Sequence, residues 1–181
     1  PVVDKETRLV GIVTFDDAID VIEEETTEDI EMMAAITPTD KPYLKTSVFE
    51  IWKKRIPWLL LLMISATFTT LIISSFESAL AAQLVLTSFI PMIMGTGGNS
   101  GSQASVTIIR GLSLDEIEFS DILRVIWKET RVAILCGLTL AVANFFKLIL
   151  FEGVEVNISL TISLTLLITV LVAKVIGSSL P

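Results

Sequence analysis

Long uncharged, mostly apolar runs dominate this chain from about residue 57 onward, and short charged segments separate them. A bilayer core about 30 Å thick needs about 20 residues of helix at about 1.5 Å per residue. Four runs are about that long, and we predict transmembrane helices at about residues 57–76, 84–109, 132–151 and 156–176. The second uncharged run covers residues 78–109, which is too long for one straight crossing and predicts a tilted or broken helix.

The first 55 residues follow a different pattern, in which polar and apolar positions are mixed. "PVVD" and "LVGIVTF" are β-rich runs joined by a polar turn, and "DDAIDVIEEE" then takes up the period of a helix. About 25 residues cannot form an independent core, and the chain begins at Pro1 rather than at a methionine. We therefore expect a fragment: residues 1–25 end a larger cytoplasmic domain, 26–55 form a connecting helix and linker, and 56–181 form a transmembrane domain.

Basic residues are distributed unevenly around the predicted spans. They precede the first span and fill the connection between the second and the third, whereas the other two connections carry acidic residues only. These basic residues are Lys53, Lys54, Arg55, Arg110, Arg124, Lys128 and Arg131. By the positive-inside rule, the N-terminus and the 110–131 connection face the cytoplasm of a multi-pass membrane protein.

Composition narrows the possible functions. The chain is 52% hydrophobic with a mean hydropathy of +0.74, and its formal net charge of −8 argues against nucleic acid as a partner. It has no histidine, which removes the commonest metal ligand and general base. Its single cysteine, Cys136, lies in an apolar run and is expected to be a buried structural thiol. With no acidic residue inside predicted spans two to four, a membrane enzyme is disfavoured.

Residues 16–31 contain nine acidic residues and no basic residue. On a helix, several of these acids form like-charge pairs at i and i+4, and each pair costs a few tenths of a kcal/mol, roughly. Two interpretations stay open: a solvated acidic linker helix, or a surface that binds a hard cation such as Mg²⁺ or Ca²⁺. The candidate ligands for a regulatory Mg²⁺ are Asp16, Asp17, Asp20, Glu24, Glu25, Glu28 and Asp29.

The stretch "PMIMGTGGNSGSQASVTIIRG", residues 91–111, interrupts the second span with proline, glycine and amide residues. Pro91 has no N–H, so in a helix it leaves the carbonyl of Thr87 without its usual partner. If the helix persists, four polar residues at spacings of three and four share one face. These residues are Thr96, Asn99, Gln103 and Thr107.

Two interpretations of this stretch compete. In the first, Gly97-x-x-x-Gly101 is a contact between tightly packed helices, and the polar groups form interhelical hydrogen bonds. In the second, the polar face lines a pore, where neutral oxygens face a hydrated ion. Packing explains the glycines but not an asparagine and a glutamine on one face beside a proline, so the pore lining is favoured.

The same stretch resembles a known family. "PMIMGTGGNSGSQASVTIIRGLSLDEI" is similar to the motif P-x-x-x-G-T-G-G-N-x-G-x-Q of the MgtE family of magnesium transporters. "FESAL" and "KETRVAILCGLTL" resemble that family's first-span end and third-span entry. "LVGIVTFDDAIDVIEEETTEDIEMMAAI" resembles the end of its second CBS domain and the start of its connecting, or plug, helix. The resemblance covers essentially the whole chain.

The resemblance implies an all-α polytopic membrane protein, with four of five transmembrane helices present, preceded by a short β/α remnant of a cytoplasmic CBS domain. It implies a homodimeric, Mg²⁺-selective importer of the inner membrane, closed by intracellular Mg²⁺ bound to CBS and plug-helix acids. The family's fifth span, which bears a pore aspartate, is expected beyond this sequence. The candidate pore-lining residues are Thr87, Pro91, Gly95, Thr96, Gly97, Gly98, Asn99, Gln103 and Thr107, with Asn99 as a candidate ion contact.

An alternative within the same family is a divalent-cation carrier or exporter that prefers Mn²⁺, Co²⁺ or Zn²⁺. Neutral oxygen ligands, without histidine or cysteine in the motif, favour a hard, hydrated ion such as Mg²⁺.

Overall fold

The computed structural model describes residues 1–38 and 41–179. Helices dominate the described part, and the sheet it contains is a short antiparallel pair near the N-terminus. The chain divides into two compact units, Pro1–Leu71 and Ile72–Pro181. The predicted fold class is therefore confirmed: a helical chain with membrane-type helices that follows a short β/α segment.

The first unit opens with a β-hairpin. Strand β1, Val2–Val3, pairs antiparallel with β2, Leu9–Gly11. Asp4 organises the turn, because its carboxylate accepts hydrogen bonds from the backbone N–H groups of Glu6 and Arg8 at 3.0 and 2.8 Å. Such side-chain capture of turn amides is typical of aspartate. The two β-rich runs predicted from the sequence are therefore present.

Helix α1, Phe15–Met33, follows the hairpin and carries most of the acidic residues of the first unit. A capping box starts it: the Asp17 N–H donates to Thr14 Oγ1 at 3.3 Å, and the Thr14 N–H donates to Asp17 Oδ2 at 2.9 Å. The Thr14 hydroxyl also donates to the Asp17 carboxylate and lowers its pKa below the usual value. The domain boundary predicted between residues 25 and 26 lies inside this helix, and the domain assignment stays a prediction.

Helix α2, Val48–Ser75, contains the first predicted span. It begins nine residues before that span, and Pro57 lies inside the helix rather than at its start. Near its start, Lys41 Nζ pairs with Glu50 Oε1 at 3.0 Å. The structure describes this helix throughout, and none of its residues is buried.

The long uncharged run, residues 78–109, lies in the second unit, and it contains a break, one of the two outcomes predicted from its length. A short helix α3, Glu77–Ala82, ends at Gln83, whose φ of −140° and ψ of 71° are not helical. The remaining helices are α4, Leu84–Ser113, α5, Ile122–Leu150, and α6, Val156–Gly177. These correspond to the second, third and fourth predicted spans.

Helix α6 organises the packing of the second unit. It packs along both α4 and α5, and these are the two most extensive helix–helix contacts among the described residues. Phe89, Leu148 and Ile162 form a buried apolar cluster that joins the three helices. Asn144 Nδ2 also donates to Ser163 Oγ at 3.3 Å in the buried interface between α5 and α6.

Within the described residues, three helical segments are long and apolar enough to cross a membrane: Val48–Ser75, Phe119–Leu150 and Val156–Gly177. Helix α4 is as long as these, but its glycine- and amide-rich middle lowers its hydropathy. In a bilayer, such polar positions are tolerated only against protein or a hydrated cavity. The polar side of α4 is therefore where a functional site is expected.

Candidate functional site

The candidate site lies on α4, which remains one helix from Leu84 to Ser113 and continues through Pro91. Because the helix persists, Thr96, Asn99 and Gln103 lie at spacings of three and four and share one face. All three line the same open cleft, which has a volume of about 490 Å³. This face was predicted from the sequence, and the structure brings these three residues together.

All three helices of the bundle contribute to the cleft. From α4 come Thr96, Asn99, Ser100 and Gln103; from α5 come Leu135, Cys136, Thr139 and Leu140; from α6 comes Lys174. One wall is therefore polar and neutral, the opposite wall is largely apolar, and a single ammonium group adds a positive charge. No carboxylate belongs to this lining among the residues that the structure describes.

Two threonine hydroxyls in the lining already donate hydrogen bonds to backbone carbonyls of their own helices. Thr96 Oγ1 donates to the Met92 carbonyl at 2.8 Å, and Thr139 Oγ1 donates to the Leu135 carbonyl at 2.8 Å. Their oxygens therefore keep lone pairs but offer no free hydrogen to the cleft. Thr96 with the amide oxygens of Asn99 and Gln103 on one side, and Thr139 on the other, can accept hydrogen bonds from the water shell of a cation in the cleft.

The residue that the sequence interpretation missed is Lys174. Its Nζ lies 3.8 Å from Glu129 Oε2, so a charged pair joins the end of α6 to the first turns of α5. Because Lys174 directly follows the uncharged run 156–173, the sequence pattern placed it at a span boundary, where lysine is ordinary. A lysine at the end of a span forms a buried pair only when a partner such as Glu129 lies on a neighbouring helix. Which helices are neighbours is known only from the packing in the structure.

Comparison with known proteins identifies the family. Residues 90–181, just over half of the chain, match the family model described as "MgtE: Divalent cation transporter". The chain belongs to the MgtE family. The matched region begins one residue before Pro91 and includes every residue that lines the cleft.

Curated MgtE relatives match more of the chain. The magnesium transporter MgtE of Thermus thermophilus is 43% identical over 141 residues, which cover 78% of this chain and 31% of that protein. The magnesium transporter MgtE of Bacillus subtilis is 40% identical over 157 residues, covering 84% of this chain and 34% of the relative. The chain therefore spans about a third of the length of the curated relatives it matches.

The glycines of the MgtE motif fall into two groups. A Cβ on Gly97 would lie 2.7 Å from Thr169 Cγ2, and a Cβ on Gly101 would lie 3.0 Å from the Ala173 carbonyl oxygen. These two glycines therefore permit the close approach of α4 and α6. A Cβ added to Gly95 or Gly98 would have no neighbour within 4 Å, so these two serve no such contact among the described residues.

The remaining candidate residues of this MgtE chain do not line the cleft. Thr87 Oγ1 donates to the Leu84 carbonyl at 2.6 Å, and Thr107 Oγ1 donates to the Gln103 carbonyl at 2.8 Å. Pro91, Gly95, Gly97 and Gly98 are also outside the lining. The structure thus brings together three of the nine pore-lining candidates, and the role of all nine stays a prediction.

The acidic candidates lie on α1, in the first unit. Asp20, Glu24, Glu25 and Glu28 line a shallow groove of about 530 Å³ together with Glu23, Glu31 and Lys41. Asp17 instead serves in the capping box, and Asp16 and Asp29 are outside the groove lining. In the part of the chain that the structure describes, no group of three or more Asp, Glu, His or Cys side chains is suited to holding a metal ion. The groove is therefore strongly acidic but does not by itself form a coordinated metal site among the described residues.

Proposed function

We propose that this chain is part of a Mg²⁺ transporter of the cell membrane, and that the cleft beside Asn99 and Gln103 contacts the hydrated ion. Membership of the MgtE family supports transport of a divalent cation, and the matched relatives are named magnesium transporters. The observation that carries the proposal is the neutral, acceptor-rich wall of α4 inside a bundle of apolar helices. We also propose inward transport and an inner-membrane location, which the resemblance described above supports.

The chemistry of the wall suits a strongly hydrated cation. Mg²⁺ releases its water reluctantly and usually keeps several water molecules in protein sites. Amide oxygens and threonine lone pairs can accept hydrogen bonds from those waters without stripping them. A wall without carboxylates also binds weakly, which favours passage over retention.

Asn99→Leu in the full-length protein tests the proposal. Loss of one amide contact should lower the rate of Mg²⁺ uptake by about tenfold, which corresponds to about 1.4 kcal/mol. The measurement is Mg²⁺-dependent growth and Mg²⁺ uptake in cells that lack their own importers. Ser102→Leu, on the same helix but outside the cleft and outside the predicted polar face, is the matched control and should transport like the wild type. Equal uptake by both variants at equal expression would refute a role for this face.

One observation favours the alternative of a different metal preference. Cys136, expected to be buried, is only half-buried and lines the cleft opposite the amide wall. Thiolate is a ligand that softer metals prefer. Uptake of Mn²⁺, Co²⁺ and Zn²⁺ in the same cells distinguishes the alternatives. Zn²⁺ uptake that exceeds Mg²⁺ uptake and is lost in Cys136→Ser would favour the alternative.

We also propose that the N-terminus and the connection between α4 and α5 face the cytoplasm. The basic residues of that connection support this orientation, since Arg124 and Lys128 lie in the first turns of α5. After replacement of Cys136, cysteines at Ser78 and Val154 should react with an impermeant thiol reagent added outside whole cells. A cysteine at Ser120 should react only after the cells are opened, and the reverse pattern would overturn the orientation.

Regulation by intracellular Mg²⁺ is the final part of the proposal. The groove on α1 offers four acidic candidates, and the described residues hold no group of three or more side chains suited to a metal ion, so further ligands would have to join them. We propose a CBS-domain surface or a second subunit of a homodimer as the source of those ligands. Closure would then depend on a Mg²⁺-bound state that is favoured because it binds the ion more tightly.

A further inference from the structure

An ion pair lies beside the cleft, and only its positive member faces the space inside. The Lys174 and Glu129 side chains are 7% and 13% exposed, so both are largely shielded from solvent. Lys174 lines the cleft together with Asn99 and Gln103, whereas Glu129 does not belong to the lining. A divalent cation in the cleft would therefore lie beside the ammonium group, whereas the carboxylate that balances this group does not line the space.

The position of Lys174 is fixed by the packing of α6 on α4. The preceding residue, Ala173, contacts Gly101 so closely that a Cβ on the glycine would lie 3.0 Å from the Ala173 carbonyl oxygen. The Lys174 carbonyl also accepts the Ser178 N–H at 2.9 Å. The first contact holds this part of α6 against α4 near Gly101, and the second bond continues α6 to its C-terminal cap.

The charge of Lys174 is only weakly screened, because its side chain is largely shielded from solvent although the cleft is open. The other polar groups of the lining are neutral amides and hydroxyls and one thiol. Lys174 thus opposes the attraction that the oxygen lone pairs offer to a cation. A buried lysine with this effect requires a partner that stabilises its charge, and Glu129 supplies it.

We infer that Lys174 is a tethered cation that weakens the binding of divalent ions in this cleft, and that Glu129 is the positioning residue that holds it there. The inference rests on the proposed transport function, for which an ion must bind weakly enough to leave. Lys174 is thus a residue that sets the affinity of the site, in addition to Asn99 and Gln103.

Two single substitutions should change ion affinity in opposite directions. Lys174→Met removes the ammonium group and leaves the Glu129 carboxylate beside the cleft, so Mg²⁺ should bind about tenfold more tightly. Glu129→Gln leaves the ammonium group unbalanced, so Mg²⁺ should bind about tenfold more weakly. The double variant removes both charges and should return to within about threefold of the wild type.

Cys136 provides a direct measurement, because its thiol lines the same cleft. In the purified full-length protein with its other cysteines replaced, bound Mg²⁺ should protect Cys136 from a small methanethiosulfonate reagent. The Mg²⁺ concentration at half-protection should fall about tenfold in Lys174→Met and rise about tenfold in Glu129→Gln. Lys174→Arg retains the positive charge and is the matched control, with half-protection near the wild-type value.

A purely structural ion pair gives a different result: both single variants lose thermal stability, and half-protection shifts the same way in both or in neither. That result would overturn the inference. If Lys174→Met does not fold because a buried carboxylate is left unpaired, the inference is tested by comparing Glu129→Gln with the double variant. The double variant should then bind Mg²⁺ at least about threefold more tightly than Glu129→Gln does. Equal binding by these two variants would overturn the inference.

Mg²⁺ flux into liposomes, measured on the same preparations, separates this inference from the proposed function. Absence of flux in the wild-type protein would refute transport. Wild-type flux combined with equal or absent protection of Cys136 in every variant would refute only the role of Lys174.

Discussion

Gly177→Val should prevent the stable packing of α6 on α4 and remove most of the folded full-length protein from detergent extracts. A Cβ on Gly177 would collide with the backbone of Gly101, and a backbone obstacle cannot rotate away as a flexible side chain can. Overpacking typically costs about 1–3 kcal/mol, and a valine at a backbone contact belongs at the upper end of that range. The measurement is the thermal unfolding midpoint together with the monodisperse fraction on size-exclusion chromatography.

Gly98→Val is the matched control, because nothing lies within 4 Å of a Cβ at that position. It adds the same side chain to a glycine in a helix of the same bundle. Its unfolding midpoint should stay within a few degrees of the wild type, which corresponds to a loss of less than about 1 kcal/mol in the free energy of unfolding. Equal midpoints for the two variants would show that α4 and α6 do not approach closely at Gly101 and Gly177.

Neutralising the acidic groove should produce the second large effect, on regulation. The quadruple replacement of Asp20 by Asn and of Glu24, Glu25 and Glu28 by Gln removes four negative charges that line one groove. Without them, Mg²⁺ stabilises the closed state less, so the intracellular Mg²⁺ concentration that half-closes the transporter should rise about tenfold, equivalent to about 1.4 kcal/mol. Open probability in membrane patches, followed against internal Mg²⁺, measures this shift. The ion selectivity should not change.

The connection between α4 and α5 offers a control with the same change in net charge. Four acidic residues there can be neutralised together: Asp115, Glu116, Glu118 and Asp121. This variant should close at the wild-type Mg²⁺ concentration. If both quadruple variants shift equally, overall charge explains the effect; if neither shifts, the acids of α1 are only a solvated surface.

The sequence was sufficient to predict the helices of the second unit, because uncharged runs of about 20 residues permit few other structures in a membrane. The length of one run predicted a tilted or broken helix, but not that the break would lie at Gln83 while α4 continues through Pro91. The sequence did not predict that α5 begins at Ile122, well before its apolar run, because charged residues outside the lipid do not end a helix. Charge marks the edge of the hydrocarbon, whereas capping and packing decide where the helix begins.

The candidate site was predictable only in part. The spacing of Thr96, Asn99 and Gln103 predicted a common face, since that follows from the helical repeat alone. The separation of Gly97 from Gly98 required knowledge of which side of α4 meets α6. The pairing of Lys174 with Glu129 joins positions 45 residues apart, and no local pattern reports such a contact.

The central place of α6 in the bundle has a consequence for biosynthesis. Chains are made from the N-terminus onward, so α4 and α5 enter the membrane before α6 does. Among the described residues, α4 and α5 each pack extensively on α6 and far less on each other. Before α6 is made, few contacts therefore hold α4 and α5 together. Helices in a bilayer associate through close packing rather than through exclusion of water. The polar face of α4 therefore lacks its packing partner, in the membrane or beside the insertion machinery, until α6 has been synthesised.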